Sequence, residues 1–182
     1  MNLPNLISLA RLLSVPLTVW LILESQYLTA FWVFIAAGVS DGVDGFIAKR
    51  FDARTVLGSY LDPLADKVLL VSVYIALGYK GDLPSWLVIL VVSRDFMIIG
   101  GSLLLLVLTD SFAVEPLIVS KVNTLVQILL AGLVLAALGD LLNDMGVSTV
   151  LIYVVTATTL ASGAAYLATW WRRIITSIED DA

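Results

Sequence analysis

The chain has 182 residues, 60% of them apolar and 14% charged, with a formal net charge of −5 and a mean hydropathy of +1.01. A soluble domain averages about 45–50% apolar and about 25% charged residues, so this composition excludes an ordinary soluble globule and predicts an all-α integral membrane protein. Cysteine and histidine are both absent; that excludes disulfides, thiolate nucleophiles and imidazole bases, and leaves carboxylates to carry any acid–base or metal chemistry.

Residues 1–11, MNLPNLISLAR, have an amphipathic look and predict an interfacial segment leading into the first span. No small-residue cleavage site follows the first apolar run, so a retained helix is expected rather than a signal peptide. Six stretches approach the ~20 residues needed to cross a bilayer, covering 7–24, 27–49, 55–79, 83–109, 117–138 and 147–170. Short polar breaks separate them, with no repeat or low-complexity tract, which predicts one membrane domain over residues 1–182. Residues 175–182 are expected to form a loose polar tail.

Six spans put both termini on one side. That side collects Arg11, Lys49, Arg50, Arg54, Lys121, Arg172 and Arg173, and the other side has Lys80 alone. The bias predicts cytoplasmic termini. Without an Arg- and Ser-rich transit extension, the expected location is a bacterial plasma (inner) membrane. Nothing in the pattern points to nucleic acid.

The acids are out of place in such a chain. Asp41 and Asp44 lie at i and i+3 in the second predicted helix, and Asp62 and Asp66 at i and i+4 in the third, each pair on one face. Asp41 is eight residues before Lys49, and Asp62 eight residues after Arg54. At ~1.5 Å per residue both sit roughly 12 Å in from the cytoplasmic loop, at matching depth. A lone Asp near a helix end is ordinarily just interfacial. Four at helical spacing and equal depth need compensation, since an acid near the bilayer centre costs roughly 2.5–3.5 kcal/mol even on the lenient insertion scale. Nearby Lys and Arg could pair with some of them. A bound divalent cation is the more economical answer, and all-oxygen ligation selects Mg²⁺, Mn²⁺ or Ca²⁺. Gly45 and Gly58 remove side chains beside the cluster and let a backbone or ligand approach.

Asp41-x-x-Asp44-Gly45-x-x-Ala48 followed by Gly58-x-x-x-Asp62-x-x-x-Asp66 resembles the signature of the CDP-alcohol phosphotransferase family. One position departs from it: Lys49 stands where the family usually has Arg, which keeps the charge and loses the planar fork. Three further stretches, NLPNLISLARLLSVP at 2–16, SRD at 93–95 and SKVNT at 120–124, resemble the cardiolipin synthase branch. The related phosphatidylglycerolphosphate synthases more often have Arg-Glu at Arg94-Asp95 and a second Lys at Asn123.

The resemblance implies a homodimeric enzyme of phospholipid synthesis with two Mg²⁺ or Mn²⁺ ions. It would move the phosphatidyl group of CDP-diacylglycerol to the free hydroxyl of phosphatidylglycerol, giving cardiolipin and CMP. Asp41, Asp44, Asp62 and Asp66 are then the metal ligands, and Asp66 is also the catalytic base. Gly45, Ala48, Lys49, Gly58, Asn5, Ser8 and Arg11 are expected to bind the nucleotide, and Arg94, Lys121 and Asn123 the acceptor phosphate. Lys121 also reads as a positive anchor at a helix end. Glycerol 3-phosphate as acceptor is the alternative. Further off stands a cation transporter, which should show internal repeats and acids at midplane.

Overall fold

The computed structural model describes residues 3–51, 56–109 and 117–180, and side chains for 10–40, 67–104 and 117–173. The described residues form six helices and no strand: α1 (Leu3–Leu23), α2 (Tyr27–Phe51), α3 (Val56–Lys80), α4 (Ser85–Thr109), α5 (Ile118–Leu138) and α6 (Val147–Asp180). The all-helical expectation holds. Among the described residues three helical stretches are long and apolar enough to cross a membrane, Ser85–Leu104, Ile118–Leu138 and Val147–Arg173.

Two boundaries differ from the sequence expectation. α1 begins at Leu3, four residues before the predicted start of the first span, and runs unbroken to Leu23. α6 extends to Asp180, so residues 175–180 are helical where a loose tail is expected. No Gly or Pro follows Trp171, and Ile174, Ile175 and Ile178 keep a helical apolar spacing, so nothing stops the helix.

The chain divides into two compact units, Met1–Ser85 with Ala131–Ser148, and Trp86–Leu130 with Thr149–Ala182. In the first, α1 packs on α2 and on α3. Ile22, Ala30, Val73, Tyr74, Leu77 and Leu83 are among its buried side chains. Its turns are tied together. Lys80 Nζ donates to Leu23 O at 3.3 Å and to Ser25 Oγ at 2.9 Å, a cation on the carbonyls that end α1. Tyr27 OH donates to Asp82 Oδ2 at 2.9 Å. Gly81, at φ +83°, ends α3 in the left-handed conformation that an L side chain resists.

The second unit shows its helix directions through its contacts. Arg94 meets Ser162, Gly163 lies against Met97, and Gly101 lies against Trp170. The pairs rise together, so α4 and α6 run the same way. Asn123 meets Thr159, and Ser120 meets the Arg94 that Ser162 also holds, so α5 runs opposite to α6.

The burial pattern here inverts that of a water-soluble bundle. Phe96, Leu103, Leu125, Leu129, Leu160 and Leu167 are exposed, while Arg94, Asp95, Asn123, Gln127, Thr159 and Ser162 are buried. An outer surface so rich in large apolar groups suits lipid and not water.

Candidate functional site

The four acids fall on the helices the spacing predicts. Asp41 and Asp44 are in α2, and Asp62 and Asp66 are in α3. Helical backbone through both segments keeps each pair on one helix face. Their side chains lie outside the described residues, as do those of Gly45, Ala48, Lys49, Gly58, Asn5 and Ser8. Of the expected nucleotide group, Arg11 is described: it is buried in α1 with 2% of its surface exposed.

Of the residues expected at the acceptor, the structure buries two and exposes one. Arg94 sits on the inner face of α4, in register with Leu87 and Val91. It is 4% exposed, and its Nη1 lies 2.7 Å from Oδ1 of Asp95, itself 5% exposed. Nη2 donates to Ser120 Oγ at 2.7 Å, from the start of α5, and to Ser162 Oγ of α6. The guanidinium carbon lies 6.0 Å from the ring centre of Tyr166, within cation–π range. One cation is thus held by a carboxylate, two hydroxyls and an aromatic face, drawn from three helices.

Asn123 lies on the inner face of α5 and is fully buried. Its Oδ1 accepts from Thr158 Oγ1 at 2.8 Å and from Thr159 Oγ1 at 2.9 Å. Lys121, two residues earlier, is exposed. A residue two positions away points to a different side of a helix, which separates the two expected partners.

Three residues of α6, Thr158, Thr159 and Ser162, have no counterpart among the sequence-derived site residues. Ser120 appears there only as part of a motif. The available signal was the polar content of TATTLAS at 156–162, inside a span that is otherwise apolar. Buried hydroxyls need partners, and here the partners are Arg94 and Asn123.

Below this cluster, Tyr166 and Trp170 continue the inner face of α6, with ring centres 5.9 Å apart and planes at 48°. The indole covers Gly101: a Cβ built there would lie 2.1 Å from the ring. Glycine is what lets α4 and the indole of Trp170 meet.

Comparison with known proteins gives a consistent picture. The family model described as CDP-alcohol phosphatidyltransferase matches residues 1–174. A chloroplastic CDP-diacylglycerol–glycerol-3-phosphate 3-phosphatidyltransferase of Oryza sativa subsp. japonica is 40% identical, over 91% of this chain and 56% of the rice protein. A cardiolipin synthase (CMP-forming) of Rattus norvegicus is 38% identical, over 75% of this chain and 50% of the rat protein. The chain thus spans about half the length of each. A CDP-diacylglycerol–glycerol-3-phosphate 3-phosphatidyltransferase of Bacillus subtilis (strain 168) is 32% identical, over 97% of this chain and 98% of that protein. The family match covers α1 to α5 and α6 as far as Ile174, and so takes in both the acid-bearing α2–α3 segment and the polar inner face of α4, α5 and α6: the chain belongs to the CDP-alcohol phosphatidyltransferase family.

Proposed function

We propose that the chain transfers the phosphatidyl group of CDP-diacylglycerol to the free primary hydroxyl of phosphatidylglycerol, giving cardiolipin and CMP. The observation that carries the choice of acceptor is the charge on the inner face of α4–α6. Arg94 is the buried cation of that unit among the described residues, and it already faces Asp95. Asn123, fully buried and held by Thr159 three residues from the Ser162 that meets Arg94, adds a neutral amide. A phosphodiester carries one negative charge, whereas glycerol 3-phosphate is close to a dianion at neutral pH. The lipid acceptor is the better match to so little free positive charge.

In this reading the hydroxyl oxygen of the acceptor forms a bond to the phosphorus that bears diacylglycerol. The bond from that phosphorus to CMP breaks, and CMP leaves with the electron pair. Asp66 takes the hydroxyl proton. Gly45, Ala48, Gly58 and Lys49, with Asn5, Ser8 and Arg11 of α1, would bind the cytidine diphosphate. Arg94 and Asn123 would orient the acceptor phosphate, and the exposed Lys121, on another side of α5, would serve as a positive anchor at the helix end.

Asp41, Asp44, Asp62 and Asp66 form an all-oxygen donor set in a chain without histidine or cysteine, which fits two hard ions such as Mg²⁺ or Mn²⁺. Bound there, the ions would offset charge developing on the departing CMP.

The chain would act as a homodimer with six spans and both termini cytoplasmic, in a bacterial inner membrane with its acids toward the cytoplasm. The alternating directions of α4, α5 and α6 support that topology. So do the 25 residues of α2 and of α3, about 37 Å each at 1.5 Å per residue.

A second reading, with glycerol 3-phosphate as acceptor, is favoured by the end-to-end match to the Bacillus subtilis protein. Membership of a phosphatidyltransferase family leaves the transporter alternative without support. The test is purified protein in lipid with Mg²⁺ or Mn²⁺ and CDP-diacylglycerol, given phosphatidylglycerol or glycerol 3-phosphate separately. CMP and cardiolipin from phosphatidylglycerol alone are expected. Turnover with glycerol 3-phosphate alone would overturn the acceptor and leave the family unchanged.

A further inference from the structure

Two side chains from different helices end on one face of α6. Arg94 of α4 reaches Ser162, and Asn123 of α5 reaches Thr159. Residues 159 and 162 are three apart, so their Cβ atoms lie about 5–6 Å from each other. Each anchored group keeps one buried nitrogen without a partner. Arg94 uses Nη1 and Nη2, while its buried Nε has no hydrogen-bond partner; Asn123 uses Oδ1, while its buried Nδ2 has none.

A buried N–H left unpaired is costly, and two on one polar inner face call for an explanation. Trp170 Nε1, further along the same face of α6, is a third. All three are donors. A water could accept from any of them, but among the described residues no buried side-chain oxygen without a partner remains for its hydrogens. A group rich in acceptor oxygens and poor in donors answers the pattern, and an ionised phosphate ester is such a group.

We propose that Thr159 and Ser162 are positioning residues for the acceptor. By holding Asn123 through Oδ1 and Arg94 through Nη2, they keep Asn123 Nδ2 and Arg94 Nε turned to the acceptor's phosphate oxygens. The inference rests on the assignment of Arg94 and Asn123 to the acceptor and extends it to α6. Thr159 and Ser162 touch no reacting atom, so their removal weakens acceptor binding and leaves the chemistry alone.

The test compares wild type with Thr159→Val, Thr159→Ser and Ser162→Ala in vesicles of neutral lipid, with CDP-diacylglycerol and either acceptor. Thr159→Val keeps the shape and loses the hydroxyl. Thr158 also reaches Oδ1 of Asn123, but its one proton is shared with the carbonyls of Val154 and Val155, so Thr159→Val is expected to raise the acceptor KM about tenfold, equivalent to about 1.4 kcal/mol, with kcat and the KM for CDP-diacylglycerol within about twofold. Thr159→Ser restores the wild-type acceptor KM. Ser162→Ala raises it less, about threefold, because Ser120 still holds Nη2.

The rise in Tm that each acceptor gives the purified protein is read in the same samples, so binding is measured apart from turnover. An unchanged acceptor KM and Tm response in Thr159→Val, an equal rise in both KM values, or no rescue by Thr159→Ser would overturn the proposal. Should Thr159→Val not fold, an unchanged acceptor KM in Ser162→Ala would overturn it. If wild type turns over glycerol 3-phosphate alone, the phosphatidylglycerol assignment fails, and the same split measured with glycerol 3-phosphate still decides the role of α6.

Discussion

Replacing Asp95 by Asn removes the counter-charge of Arg94 while keeping the shape and one acceptor oxygen. The side chains of Arg94 and Asp95 are 3% and 7% exposed, with 2.7 Å between Nη1 and Oδ1. At an effective dielectric near 20, unit charges about 4 Å apart attract by about 4 kcal/mol. Breaking a buried pair by removing one partner costs about 3–5 kcal/mol, chiefly because the other charge stays buried without its match. Ser120 and Ser162 still accept from Nη2, and the new amide can still accept from Nη1. The expected loss therefore falls at the lower end, about 3 kcal/mol.

The assay is reversible denaturation of the purified protein in mixed micelles, for wild type, Asp95→Asn, Arg94→Met and the double variant Arg94→Met/Asp95→Leu. The double variant has no buried charge left at this place, so it should recover most of the stability that either single variant loses. A loss below about 0.5 kcal/mol in Asp95→Asn would show the pair to be solvated like a surface bridge. A double variant as unstable as the sum of the singles would show no coupling. Either result would refute the account of a desolvated pair at the centre of α4–α6.

The remaining predictions concern packing, the acid set and one helix start. Gly101→Ala puts a Cβ 2.1 Å from the indole of Trp170; the ring must move, and a loss of about 1–3 kcal/mol is expected, relieved in the same denaturation assay by adding Trp170→Leu. Asp66→Asn should lower kcat for CMP release by about 10²–10⁴-fold as expected for a lost general base, and EDTA should abolish release until Mg²⁺ or Mn²⁺ is returned; a variant within threefold of wild type would remove Asp66 from the chemistry. Asp144, just before α6, accepts from the hydroxyl of Ser148 and from its backbone N–H at 2.7 Å, and these bonds, the hydroxyl's first, hold its carboxyl below the usual range. A carboxyl depressed in the folded state stabilises above its unfolded value of about 3.9 and loses that contribution as pH falls through the folded value. Tm should therefore fall with acid below about pH 4 in wild type, and less steeply in Asp144→Asn.

The helices were legible because apolar runs broken by short polar stretches leave few choices of boundary: α2 to α5 begin and end within about two residues of the predicted spans. The ends of α1 and α6 were less so, since composition separates polar from apolar and cannot tell a solvated helix from a loose tail. Arg94 was legible because a cation deep in an apolar span has no cheap explanation. Thr159 and Ser162 were not, and the reason is specific. A Thr in a membrane helix can satisfy itself on the carbonyl four residues back, as Thr156 does on Ile152 and Thr169 on Ala165. Nothing local distinguishes Thr159 from these. Its partner is 36 residues away on α5, and only the packing of the helices reveals it.

Under the proposed function, acceptor choice would turn on few positions of this chain. An inner face in lipid has no water to screen a surplus charge, so the charge it offers must be close to the charge it receives. Here the formal charge is nearly balanced before any acceptor arrives: Arg94 faces Asp95, and position 123 is a neutral amide whose oxygen is occupied by two hydroxyls. On the proposed assignment, what would remain for the acceptor is a set of N–H dipoles, suited to a monoanion and short of the full positive charge a dianion would require. A lysine at position 123 would add that charge and would take away the oxygen to which Thr159 donates, while Thr158 would keep the carbonyls of Val154 and Val155. On that proposal, acceptor charge, the residue at 123 and the hydroxyl of Thr159 would have to change together.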